Sequence, residues 1–256
     1  MPLSNRRIQK IQPTVVRTQN KTITRVPPSQ VNSNQPVKNQ LSDKLVQYPT
    51  KIDKIWNDEV VYIIGGGPSL KDFDWNKLKG KKVIAINRAF QVLPEADVLY
   101  WTDSRFYRWF KNDIDSFKGL KVTCRDAPGN PGDITVLKPT SNIVIDLRPD
   151  FIATGNNSGF GAICLAAKLG AKRIYLLGYD MISKDKNTHW HSGYDVSHNH
   201  TIYTKMKAQF AVLPGELKKY NIEVFNANPK STMETFRRVS LEAALNNNPI
   251  LPSQDW

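Results

Sequence analysis

All four histidines of the chain fall in one stretch, as the pairs His189-Trp190-His191 and His198-Asn199-His200. Imidazole titrates near neutral pH, so such a cluster can exchange protons with a substrate, and its nitrogens can also ligate a metal. A solvated loop that happens to carry histidine is the plainer alternative for any single one. Four of them in a long polar segment beyond Asp180 favour a functional loop. Acid–base chemistry ranks ahead of metal binding, with His189 and His191 as the candidate catalytic residues.

A second chemical signal lies at residues 59–72, where the apolar run Val60, Val61, Ile63 and Ile64 enters Gly65-Gly66-Gly67-Pro68-Ser69. The run reads as a buried strand. Glycines let the backbone turn and approach a ligand closely, and Pro68 suits the first position of a helix. Ser69 and Asp72 have capping-box spacing. A strand, a glycine turn and a capped helix start form an anion site of backbone N–H groups, so Gly65, Gly66, Gly67, Pro68 and Ser69 are expected to hold a phosphate. The alternative is a tight connection with no ligand. The run is neither the dinucleotide fingerprint, whose third glycine would fall at Leu70, nor a Walker loop, because no Gly-Lys-Ser/Thr follows.

The elements that must position these groups alternate from residue 55 onward. Strands are expected at 60–64, 82–87, 97–102, 120–124, 143–147, 173–177 and 222–226, and helices at 75–79, 104–112, 159–169, 202–220 and 239–246. Asp74 and Gly80 bracket the first helix, and Ser158 and Gly170 the third. Pro214 should kink or divide the long one. This alternation predicts an α/β fold with a mostly parallel open sheet and helices on both faces. Ligands of such sheets bind beyond the carboxyl ends of the strands. Asn87, Asp103, Ser158, Gly159, Gly178 and Asp180 all fall at that edge. Each alone has an ordinary use in a turn or cap, but together they predict a shared pocket. Asn87 suits a ribose or base, Ser158 a phosphate, and Asp103 and Asp180 a hydroxyl or a Mg²⁺ or Mn²⁺ ion bridging phosphates. Asn226-Ala227-Asn228-Pro229 follows the last strand and can reach the same edge.

The formal net charge is +13, and residues 1–42 hold seven basic residues and no acid. That stretch is rich in Gln, Asn, Ser, Thr and Pro and lacks aromatics, so it is expected to be a disordered arm occupying residues 1–55, ahead of one domain at 56–256. It has no apolar core of a secretory signal, and it shares a basic, acid-poor composition with transit peptides. It is either a solvated tail or an arm for nucleic acid or an acidic protein surface. No apolar run is long enough for a membrane span. Cys124 and Cys164 read as core residues of a reducing compartment, which gives a cytoplasmic expectation.

The blocks Gly-Gly-Gly-Pro-Ser-Leu-Lys-Asp-Phe-Asp, Ile-Asn-Arg-Ala-Phe, Asn-Ser-Gly-Phe-Gly-Ala and Ala-Lys-Arg-Ile-Tyr-Leu-Leu-Gly-Tyr-Asp, in this order, resemble the bacterial sialyltransferases of glycosyltransferase family 42. They are also similar to uncharacterised proteins, many from phages, grouped with the archaeal 6-hydroxymethylpterin pyrophosphokinase. The resemblance covers roughly residues 58–226. It implies a Rossmann-like domain that binds a nucleotide or nucleotide-sugar, with Asn87 on the nucleotide, Ser158 and Gly159 as the Ser-Gly motif, and a histidine after Gly-Tyr-Asp as base. The chain departs from the sialyltransferases where Gly66 replaces an Asn of Asn-Gly-Pro-Ser and where Asp103 stands for a second pocket Asn. The added carboxylate suits a metal-bound nucleotide, as in the pyrophosphokinase. Three functions follow: a glycosyltransferase with a histidine base, a metal-dependent pyrophosphate-transferring enzyme, or a structural phage protein working through its basic arm. The phage likeness places the chain in a host cytoplasm or in a virion.

Overall fold

The computed structural model describes residues 51–125, 132–140, 145–182, 189–191 and 200–250. The described residues lie within one compact unit, Lys44–Trp256. The arm expected at residues 1–42 lies outside the described residues, as does His198. Within residues 51–55, Ile52 is buried and its N–H bonds to the Pro149 carbonyl, so the packed part of the domain already includes this segment.

The described elements are strands β1 (Glu59–Ile64), β2 (Lys82–Ile86), β3 (Val98–Trp101), β4 (Leu120–Thr123), β5 (Ile134–Val136), β6 (Lys138–Thr140), β7 (Phe151–Ala153), β8 (Ala171–Leu177), β9 (Glu223–Asn226) and β10 (Arg237–Arg238), with helices α1 (Ser104–Ser116), α2 (Ser158–Leu169), α3 (His200–Phe210), α4 (Leu213–Lys219) and α5 (Leu241–Leu245). Eight strands form one sheet in the order β10-β9-β8-β1-β2-β3-β4-β5, and every pairing in it is parallel. β6 and β7 pair separately, also in parallel. The sheet is open and α/β in character, the Rossmann-like arrangement expected from the alternation of elements.

Helices cover both faces, and alternate side chains of each central strand serve one core or the other. Val61, Ile63, Ile84, Val98, Tyr100, Ile174 and Leu176 point to the core under α2, α3 and α4. Tyr62, Ile64, Val83, Leu99, Trp101, Tyr175 and Leu177 point to the core under α1 and α5. Fully burying one such Val, Ile or Leu side chain contributes on the order of 1.5–3 kcal/mol, so the β8-β1-β2-β3 centre anchors the domain.

Local signals explain most boundaries. Asp74 caps a short turn at Trp75–Leu78 by accepting the Asn76 N–H at 3.1 Å, but the turn is a 3₁₀ helix, not the expected α-helix over 75–79. Asn157 caps α2 through its side chain and Gly170 ends it at φ 102°. Pro214 stands in the first turn of α4, and the helical segment expected over 202–220 is divided there, as that proline predicts. The strand expected at 143–147 is corrected where it is described: Ile145, Asp146 and Leu147 are not in a strand. Short strands β5, β6 and β7 flank this region; at three residues each they are too brief to show a period. Among the described residues no helix is long and apolar enough to cross a membrane. Cys124 and Cys164 are both free and buried.

Candidate active-site cleft

The chain runs from β1 outward to β5 on one side, and from β8 outward to β10 on the other. The direction reverses between β1 and β8, which is where a ligand crevice opens in a doubly wound sheet. A cleft of about 880 Å³ lies there, lined by Gly65–Pro68 after β1, Asn87 after β2, Thr102 and Asp103 after β3, Asn156–Gly159 at the start of α2, and Gly178–Ile182 after β8. A smaller hollow of about 470 Å³ beside α4 and β9 carries Glu223 and Arg237 but none of the candidate site residues. Of the expected residues, Gly65, Gly66, Gly67, Pro68, Asn87, Asp103, Ser158, Gly159, Gly178, Asp180 and His189 line the large cleft. Ser69 and His191 are not among its lining residues.

The glycine turn differs from its sequence reading in an informative way. Its first N–H groups are already bonded: Gly65 to the Leu177 carbonyl and Gly67 to the Gly178 carbonyl, both at 2.8 Å. Pro68–Leu70 form a single 3₁₀ turn with no side-chain cap, so the capping box of Ser69 and Asp72 does not form. Instead Ser69 donates its N–H at 2.7 Å and its hydroxyl at 2.6 Å to the carboxylate of Asp180. The anion held at this turn is therefore the chain's own side chain. Glycine is required here for close approach: a Cβ on Gly67 would stand 2.5 Å from the Gly178 carbonyl oxygen and 2.6 Å from the Asp180 carboxylate.

Asp180 is 2% exposed. Besides Ser69 it accepts Nδ2 of Asn228 at 2.6 Å. The Asn226–Thr232 segment clamps the backbone beside it: Ser231 Oγ donates to the Tyr179 carbonyl, and Thr232 N–H to the Asp180 carbonyl. The polar run after β9 thus reaches the cleft edge by bracing the β8 tip. Asp103 caps α1 by accepting the Arg105 N–H at 2.8 Å, and it also takes both arms of the Arg105 guanidinium. These hydrogen bonds, the side-chain ones first, hold its carboxyl below the usual carboxylate range. The oxygens of both aspartates are committed to protein donors. Among the described residues no three His, Cys, Asp or Glu side chains gather as a metal site. This donor set does not fit a metal shared by Asp103 and Asp180.

His189 stands directly on the glycine turn: a Cβ on Gly66 would lie 2.7 Å from its Cδ2. Trp190 fixes this placement, its backbone N–H donating to the Gly66 carbonyl at 2.9 Å and its indole N–H to the Gly65 carbonyl at 3.1 Å. The Trp190 ring packs 5.3 Å from that of Trp75. The His191 ring lies 5.3 Å from that of His189 and 4.8 Å from Trp190. His200 begins α3.

Ser158 and Gly159 occupy the first turn of α2, whose N-terminal N–H groups have no partner within the helix. The Ser158 hydroxyl is 2.7 Å from that of Thr102. The Tyr179 hydroxyl donates to the Gly159 carbonyl at 3.0 Å, and burial keeps this phenol well above its ordinary pKa and so protonated. Asn87 sits at φ 49°, a left-handed conformation that Asn tolerates, and its Oδ1 is buried with no hydrogen-bond partner among the described residues. A buried acceptor left open is costly, on the order of 1–3 kcal/mol, and a ligand donor offsets that cost.

Three features were not singled out from sequence. Trp190 is signalled by its place between two histidines, whereas Trp109 and Tyr203, which line the cleft, sit in helical segments that read as ordinary amphipathic faces. Comparison of the chain with protein-family models, with curated proteins and with solved structures gave no match.

Proposed function

We propose that the cleft binds a nucleotide-sugar and transfers its sugar to an acceptor hydroxyl, with His189 as the base. The observation that supports this most is the imidazole of His189 seated on Gly66 at the lip of the same cleft that α2 enters with its N-terminus. In this reading the leaving phosphate rests on the N–H groups of Ser158 and Gly159 and on the Ser158 hydroxyl, where the helix dipole favours negative charge. The glycine turn shapes the cleft and carries His189, since the N–H groups of Gly65, Gly67 and Ser69 are taken by the Leu177 and Gly178 carbonyls and the Asp180 carboxylate. Asn87 Oδ1 accepts a donor of the nucleoside. His189 takes the proton of the acceptor hydroxyl as its oxygen bonds to the anomeric carbon, and the bond from that carbon to the phosphate oxygen breaks. Base assistance of this kind contributes on the order of 10²–10⁴-fold. Preorganised donors at the leaving phosphate supply a further electrostatic part.

The test is a thermal-shift series with CMP, UDP, CTP and ATP, with and without Mg²⁺. Stabilisation by CMP or UDP without metal supports sugar transfer. Stabilisation by ATP only with metal supports pyrophosphate transfer instead. No shift with any nucleotide, together with salt-sensitive DNA binding lost on removing residues 1–42, supports the structural role.

A further inference from the structure

Phe73 and Trp75 follow the glycine turn closely, are only partly buried, and do not line the cleft. Their placement is nevertheless tied to it. They belong to the segment of two short 3₁₀ turns, Pro68–Leu70 and Trp75–Leu78. Leu70 and Leu78, each 3% exposed, root these turns in the core under α1 and α5. Asp74 accepts the Asn76 N–H at 3.1 Å and Asn76 Nδ2 at 3.0 Å, which fixes the turn that carries Trp75. The Phe73 and Trp75 rings meet edge to face, 5.0 Å apart at 80°. Trp75 in turn packs on the Trp190 indole, the two rings tilted by 57°.

Trp190 is tethered to the glycine turn by two bonds, from its backbone N–H to the Gly66 carbonyl and from its indole N–H to the Gly65 carbonyl. Two hydrogen bonds set distances but leave a ring able to pivot about the line that joins them. A second ring packed against it removes that freedom. His189 is the preceding residue, and its Cδ2 is the atom nearest to a Cβ built on Gly66. A pivot of the indole therefore carries the imidazole with it. A reacting group works only when its neighbours hold it within about 0.5 Å of the productive geometry through their own locked packing.

We propose that Trp75, backed by Phe73, is a positioning residue for His189 and acts through Trp190. This rests on the proposed sugar transfer in taking His189 as the base; the contact itself is open to measurement without any substrate. One segment then has two tasks. Its glycines supply room and carbonyls for the histidine, and its aromatic pair holds the histidine there.

The experiment uses the full chain and three readouts. The nuclear Overhauser contact between His189 Hδ2 and Gly66 Hα reports the place of the imidazole. The melting midpoint, alone and with CMP or UDP, reports the fold and the nucleotide site. Release of CMP or UDP from CMP-sialic acid or UDP-glucose reports turnover. Trp75→Leu keeps an apolar side chain on the core and removes the flat ring. It should weaken the Overhauser contact severalfold and lower kcat by roughly 10–10²-fold, the cost of a misplaced group, with KM and the nucleotide-induced shift unchanged. Trp75→Phe, which keeps a ring, should restore both contact and kcat. Phe73→Leu should show the same loss at smaller size, and it decides the case where Trp75→Leu does not fold. A full-strength contact in Trp75→Leu overturns the proposal, and so does a lower melting midpoint with contact and kcat intact, which is the pattern of packing alone. A lost contact with kcat intact also overturns it. A lost contact in a protein whose wild type turns over neither donor keeps Trp75 as the residue that places His189 and removes the sugar transfer instead.

Discussion

The carboxylate of Asp180 accepts both the backbone N–H and the hydroxyl of Ser69, at 2.7 and 2.6 Å, and so ties the tip of β8 to the turn after β1. Asn228 adds a third donor from beyond β9. Three chain segments that are distant in sequence are fixed at one buried carboxylate. Asp180→Asn replaces an acceptor by a group that must present its own donors to Ser69 and Asn228. A loss of roughly 1.5–3 kcal/mol is expected, the range for hydrogen bonds to a charged group, read as a lower urea midpoint at unchanged slope. Ser69→Ala, which keeps the N–H bond, should lose only about 1 kcal/mol.

Gly66 and Gly67 should respond differently to alanine. At Gly67 the new Cβ meets backbone at 2.5 Å and the Asp180 carboxylate at 2.6 Å, so stability should fall by roughly 1–3 kcal/mol. At Gly66 it meets only the His189 ring, which can swing away. Gly66→Ala should therefore keep its melting midpoint while sugar transfer from the nucleotide donor identified by thermal shift falls with that of a His189 variant. Equal loss of stability in both would show that His189 is not what Gly66 makes room for.

His189→Gln should lower kcat by about 10²–10⁴-fold and leave nucleotide binding in place, as expected for a base that does not hold the donor. Trp190→Phe keeps the ring against Trp75 but loses the indole N–H to the Gly65 carbonyl. Its kcat should fall by less than that of His189→Gln, and its stability by about 1 kcal/mol. A Trp190→Phe variant with unchanged kcat would show that the indole bond does not position His189.

Asp103 gives a pH signature. Its carboxyl is held below the ordinary value by Arg105, so its folded pKa lies under its unfolded one. The stabilisation is therefore fully present above roughly pH 4 and disappears as pH falls through the folded value. Asp103→Asn retains the helix cap but not the ion pair. The gap between wild type and Asp103→Asn should be under about 1 kcal/mol at pH 7, as befits a pair partly in solvent, and should close on acidification below roughly pH 4. A gap that widens with acid would contradict the pairing.

The sheet was legible because its physics is repetitive. Val60–Ile64 and Ile174–Leu177 are continuous apolar runs, as strands covered on both faces must be, and Gly170 and Pro214 mark helix ends, although the cap of α2 is Asn157 and not the expected Ser158. Gathering polar residues by strand tip also located the cleft, because parallel strands all deliver their carboxyl ends to one side. The bonding inside the cleft was less legible. Ser69 and Asp72 have correct spacing for a cap, yet Asp180, more than a hundred residues later, offers Ser69 a buried charged acceptor and prevails. Likewise Trp109 looks like any residue of an amphipathic helix, since only the bend at Phe110 and the tertiary setting leave it open to the cleft.

Glu59–Ile64 pairs along its whole length with Ala171–Leu177, a partner synthesised long afterwards. Early and late portions of the polypeptide must therefore dock before a crevice exists at all, and such remote pairing slows folding. Nothing short of the finished sheet holds the cleft. A bound nucleotide should accordingly protect amides of β1 and β8 from hydrogen exchange together, as one cooperative unit, rather than stiffening the neighbouring loops alone.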